Sequence, residues 1–191
     1  MKTVLAILAA GTALAVASPA MAQNTTGTVN ITGSVAPKCI VVPGGDSTFT
    51  RLVAFGELAG VDGRLRPGLA ADFTAAGVAA RVVCTTAAPT ISVDADPITA
   101  ATATATTGYD NSIDFTANVA VTTTTGPAGP FSNDSAAAAG ADTAVGGRLA
   151  NNGSDNIVIT ASNFRTNTVN DLLSADPVYT GKITVVIKPG T

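Results

Sequence analysis

Between Ile113 and Val121 every second residue is apolar: Ile113, Phe115, Ala117, Val119 and Val121 alternate with Asp114, Thr116, Asn118 and Ala120. Successive side chains of a strand point to opposite faces, so this pattern predicts a β-strand with one buried face. The pattern returns at 179–188, where Tyr179, Gly181, Ile183, Val185 and Ile187 face one way and Thr180, Lys182, Thr184, Val186 and Lys188 the other. Residues 28–35 read TVNITGSV, which places Val29, Ile31 and Val35 on one face with Gly33 between them. Shorter runs at 39–42, 51–55, 78–84, 90–94 and 156–161 predict further strands. Turn signals separate them: Pro43-Gly44-Gly45-Asp46, Asp62-Gly63, Pro67-Gly68, Asp96-Pro97 and Asn152-Gly153. The Ala/Thr stretch at 100–107 reads as an extended surface segment, 126–147 as a long Gly/Pro-rich loop, and 169–173 as a short helical turn. Many short strands with hardly a helix predict an all-β fold, an Ig-like β-sandwich of about seven to nine strands.

One apolar stretch does not belong to this pattern. Lys2 precedes an almost wholly apolar run at 4–16, and Ser18-Pro19 and Ala20-Met21-Ala22 follow it. A positive start, a short apolar run and a small-x-small site are the marks of a cleavable secretory signal, here 1–22. The run is shorter than the ~20 residues that span a bilayer, which disfavours a membrane anchor. The remainder, 23–191, has the length of one domain with a sizeable core and carries no further candidate span.

Composition narrows the function classes. Histidine and tryptophan are absent, and the net charge of −3 shows no basic stripe, so a nucleic-acid partner is not expected. Without histidine, Ser-His-Asp and Cys-His nucleophilic systems are excluded. Glu57 is the sole glutamate, so paired-carboxylate glycosidase chemistry has no support. Gly44-Gly45-Asp46-Ser47-Thr48 lacks the lysine of a phosphate loop. Asp94 and Asp96 are a close carboxylate pair, but no calcium-loop spacing surrounds them and a turn role beside Pro97 is the commoner one. No enzyme activity, metal or cofactor is expected. The two cysteines, Cys39 and Cys84, lie in the exported part without CxxC spacing, so one disulfide between neighbouring strands is expected rather than a redox or metal site. Sequons occur at Asn24, Asn30, Asn133 and Asn152 and read as incidental.

Gly27 to Val35 followed by Cys39 resembles the opening strand of bacterial chaperone–usher pilins, and the 179–187 strand is similar to the family's closing strand. Phe55-Gly56, and Val82-Val83-Cys84-Thr85 leading to Ile91-Ser92-Val93, resemble the spore-coat-U-like branch of these secreted proteins. The resemblance covers both ends and the cysteine region and is weak from about 100 to 153. It implies a pilin-like sandwich lacking one strand. The chain would then be a structural subunit of a surface fimbria, pilus or coat that assembles by β-strand donation. Its partners would be identical or related pilin subunits, with a periplasmic chaperone and an outer-membrane usher during export. It would pass through the periplasm to the cell surface. Residues 25–35 would be the donor, with Val29, Ile31 and Val35 entering a groove lined by Ile183, Val185 and Ile187. Two alternatives stand beside this. Both terminal segments fit ordinary strands of one complete domain. A monomeric secreted or surface β-sandwich binding a carbohydrate or protein through 126–147 is the other functional reading.

Overall fold

The computed structural model describes residues 26–190. The signal at 1–22 and Thr25 lie outside the described residues. The chain divides into two units, Met1–Ser34 and Val35–Thr191. In the first, residues 26–34 form neither helix nor strand, and their side chains are exposed. The strand expected at 28–35 is therefore not formed: Val29 is 85 % exposed, Ile31 91 % and Val35 78 %. Alternation makes a segment fit for a sheet, but a strand exists only where a second edge receives its N–H and C=O groups.

The second unit is all-β and sandwich-like. Its strands are β1 (Cys39–Val42), β2 (Ala79–Cys84), β3 (Thr90–Ala100), β4 (Tyr109–Asp110), β5 (Ser112–Thr123), β6 (Gly126–Asp134), β7 (Thr143–Ala144), β8 (Ile157–Thr166), β9 (Leu172–Leu173) and β10 (Tyr179–Lys188). The main sheet runs β1-β2-β8-β5-β3-β10, with antiparallel neighbours throughout. β3 and β6 share one edge of β5: β3 takes Ser112 and Ile113, and β6 takes Thr116 to Thr123. That split bends the sheet around a common core and brings it close to closing on itself. The alternating face of β5 is the centre of the core, with Ile113, Ala117 and Val119 fully buried. Ile91, Val93 and Ala95 of β3 and Ile157, Ile159 and Ala161 of β8 flank it.

The disulfide forms as expected. Cys39 and Cys84 are cross-strand partners on β1 and β2, with Cα atoms 4.1 Å apart.

Several sequence expectations need correction. Ahead of the strand expected at 78–84, residues 69–75 form α1 (Leu69–Ala75), the one helix among the described residues, which the sequence pattern does not anticipate. It buries Leu69 and Phe73, one turn apart on one face. No strand forms at 51–55, where the chain takes no ladder partner. Residues 169–173 contain a turn and the two-residue β9, not a helical turn. The first nine residues of the supposed 126–147 loop are strand β6. Its alternation is hidden by a bulge, in which Gly129 and Pro130 together oppose one residue of β5 between the pairs Val121↔Ala128 and Val119↔Phe131. At Gly129, with φ 92°, a Cβ would stand 3.0 Å from the Val119 carbonyl oxygen.

Strand β3 also runs past Asp96-Pro97, where it was expected to stop. A second bulge explains this. Pro97 and Ile98 oppose Gly181 between the pairs Asp96↔Lys182 and Thr99↔Thr180, and a bulge is one of the few places where a sheet accepts proline. Gly181 is required there by space: an added Cβ would lie 2.7 Å from Ile98 Cγ1 and 3.0 Å from its Cα. Gly181→Ala is expected to lower stability by about 1–3 kcal/mol through overpacking. The check is urea denaturation, and an unchanged midpoint would contradict it.

Two buried asparagines stand in for missing backbone. Past the pairs Ala79↔Val158 and Ala80↔Ile157, the Asn156 side chain continues the β2–β8 ladder. Its Oδ1 accepts from Val82 N–H at 2.8 Å, and its Nδ2 donates to the Val82 and Ala150 carbonyls at 2.7 Å each. Asn133 acts similarly where β3 leaves β5, accepting from Ala95 N–H at 3.0 Å and donating to the Ala138 carbonyl at 2.8 Å. Asn133 is 7 % exposed, so this sequon is committed to the interior.

Candidate functional site

The two ends of the main sheet, β1 and β10, do not pair with each other. An apolar cleft of about 650 Å³ lies at this seam. Gly181 to Ile187 of β10 form one wall, and Cys39 to Val41 of β1 with residues 47–53 form the other. Five of the six phenylalanines, Phe49, Phe55, Phe73, Phe115 and Phe164, line it. Phe164 ties the floor together: its ring stacks on Phe115 at 5.5 Å and meets Phe55 edge-on at 5.6 Å.

β10 supplies the cleft with an open edge. It pairs with β3 alone, and among the described residues no other strand uses its second edge. The consequence shows in burial. Val93, Ile91 and Ala95 are 2 %, 1 % and 3 % exposed. Their cross-strand partners Val185, Ile187 and Ile183 are only half-buried, and all three line the cleft. One strand further into the sheet, the same apolar alternation is sealed. On β10 it stays partly open, because cover is missing along one side.

In the opposite wall β1 is held by its ladder to β2, but the adjoining 47–57 stretch has no ladder of its own. Arg66 reaches back to it, donating from Nη2 to the Phe55 carbonyl at 3.0 Å and from Nε to the Glu57 carbonyl at 2.6 Å. Its guanidinium also pairs with Asp72 of α1 at 2.7 Å. The edge of β1 beside the cleft is partly closed by its own turn, since Val41 N–H donates to the Asp46 carbonyl at 2.8 Å.

Both ends of β10 are fixed by carboxylates. At its start, Asp176 accepts from the Thr102 hydroxyl and from the N–H groups of Thr102, Ala103 and Val178. The Thr102 hydroxyl bond leads this set in holding the Asp176 carboxyl well below the usual carboxylate range. The Tyr179 hydroxyl donates to the Ser174 carbonyl at 2.7 Å, and burial pushes its phenol up. At the far end Lys188 pairs with Asp142 at 2.6 Å and holds that carboxyl below its ordinary value. Away from the cleft, the Arg165 hydrogen bond, helped by Ala136 N–H, lowers Asp134 to about 2. Asp176, Tyr179, Lys188 and Asp142 fix the two ends of β10.

The residues singled out from sequence are placed as follows. Ile183, Val185 and Ile187 come together on one cleft wall, and Cys39 lies on the other, bonded to Cys84. Val29 and Ile31 lie in the first unit and Val35 opens the second, all three exposed. Asp96 pairs with Lys182 at 3.1 Å, and no cluster of three or more metal-ligating side chains occurs among the described residues. No described helix is long and apolar enough to cross a membrane. Sequence reasoning missed Phe49, Phe73 and Phe164, which come from three distant parts of the chain. Comparison with protein-family models, curated proteins and solved structures found no match to this chain.

Proposed function

We propose that the chain is a structural subunit of a bacterial surface fimbria or coat and assembles by β-strand donation. The observation that carries this reading is the half-burial of Ile183, Val185 and Ile187 on the open edge of β10, opposite fully sealed partners on β3. A strand laid along that edge pairs with the free N–H and C=O groups of β10 and covers the cleft with alternate side chains. Residues 25–35 of a second copy are the occupant. Val29 and Ile31 are spaced for adjacent positions on one strand face, Val35 falls on the same face, and all three are exposed. Burying each such side chain contributes about 1.5–3 kcal/mol. Gly33, at the intervening position, allows close backbone approach. A periplasmic chaperone holds the same edge during export, and an outer-membrane usher hands the subunit on; the assembled chain stands at the cell surface. The reading requires no catalytic step and no cofactor.

The binding-module alternative has less to stand on, because β6 occupies the first nine residues of the 126–147 loop assigned to it as a contact surface.

The test is a titration. A fluorescent peptide of residues 25–35 is added to full-length chain carrying Val29→Asp and Ile31→Asp, which cannot donate. Saturable binding with one peptide per chain is expected, weakened by Val185→Asp in the acceptor. Absence of binding would refute the reading.

A further inference from the structure

β10 is not the sole unpaired edge of the second unit. β6 pairs with β5 along one side, and no backbone hydrogen bond to another strand uses the other side of Pro127 to Ser132 among the described residues. The strand is nine residues long, sits at the sheet margin and carries no charge between Gly126 and Asn133. A bare edge of this kind is a template for pairing with a second copy. What distinguishes it from β10 is proline. β6 contains Pro127 and Pro130, while β10 contains none between Tyr179 and Lys188.

The register shows which way Pro127 faces. Thr122, the partner of Pro127, donates its N–H to the Asn156 carbonyl and accepts from Ala150 N–H, both on the side away from β6. The pair Thr122↔Pro127 is therefore a non-hydrogen-bonded one, in which backbone groups of both residues point outward. The position that would present an outward N–H is occupied by the residue that has none. Pro130 lies in the bulge between Ala128 and Phe131, each paired with a residue of β5. Ser132 is the next outward position that retains a donor.

We infer that Pro127 and Pro130 close the β6 edge to pairing with a second copy of this chain. Pro127 removes the donor of an outward position, Pro130 leaves the bulge one donor short, and the bulge bends what remains out of register. Strand addition is thereby confined to the β10 side. The inference concerns β6 alone and does not depend on which segment occupies the cleft.

The experiment uses full-length chain with Val29→Asp and Ile31→Asp, so that donation at β10 does not contribute. Into it are placed Pro127→Thr and Pro130→Thr together, Pro127→Thr alone, and Ser132→Lys both by itself and with each of these. Sedimentation velocity and far-UV circular dichroism are recorded over a hundredfold range of concentration. The parent is expected to stay monomeric. The double proline variant is expected to form dimers with rising concentration while its β spectrum is unchanged, and Ser132→Lys is expected to return it to monomer by placing like charges along the paired edge. If the double variant does not fold, Pro127→Thr alone decides, with the same expectation. Folded proline variants that remain monomeric throughout would overturn the inference. A parent that already forms dimers abolished by Ser132→Lys would overturn it equally.

Discussion

Val29→Asp and Ile31→Asp are each expected to abolish assembly and leave the fold intact. Both residues are exposed in the single chain and belong to no strand. A charge at either position therefore costs the isolated subunit almost nothing. In the proposed complex the same carboxylate would enter a cleft lined mainly by apolar side chains. Burying an unpaired charge costs several kcal/mol unless the strand shifts register. Since about 1.4 kcal/mol is a factor of ten in affinity, association should weaken more than a hundredfold. Size-exclusion chromatography should show monomer alone, with a far-UV spectrum like that of wild type. An oligomer distribution equal to the wild type's would contradict the assigned donor face.

Removing the disulfide is expected to have the largest effect on the subunit itself. Cys39 and Cys84 are 45 residues apart, and closing a loop of that size stabilises by roughly 4 kcal/mol. Against the ~5–15 kcal/mol of a typical domain this is a large share. β1 has only four residues and among the described residues pairs only with β2, so the bond is its main anchor. Cys39→Ser with Cys84→Ser should lower Tm by roughly 10 °C. It should also impair strand acceptance, because Cys39 and Val41 form part of the cleft wall. A melting temperature within about 2 °C of wild type would show that the anchor lies elsewhere.

Alternation located the strands whose faces are uniform. β5 and the 183–187 part of β10 present an apolar row to the core, and both strands are legible at about their bounds; β8 was legible only as 156–161, because Asn163 and Phe164 together oppose Phe115 and end its alternation. β6 and the second half of β3 were hidden by bulges, because an inserted residue shifts the period and brings in the glycine and proline that otherwise mark turns. The helix was hidden by length: Leu69–Ala75 has barely two turns, and only the pair Leu69 and Phe73 signals its buried face. The roles of Asn133 and Asn156 have no local signal, since each replaces backbone of a strand distant in sequence. The candidate site was half legible. The β10 wall follows from its own alternation. The opposite wall and the phenylalanine floor depend on the meeting of residues 49, 55, 73, 115 and 164, which no single stretch encodes. The reverse case is 28–35, a strand pattern without a strand, and that mismatch is what supports its proposed role as donor.

Hydrogen exchange by mass spectrometry on size-fractionated wild-type protein tests strand donation most directly. In assembled fractions the amides of 25–35 and the open edge of β10 should exchange at least about a hundredfold more slowly than in monomer. Mixed labelled and unlabelled subunits should place the two segments on different chains. A wild-type protein that stays a stable monomer, with 25–35 protected inside its own sheet, would contradict the account.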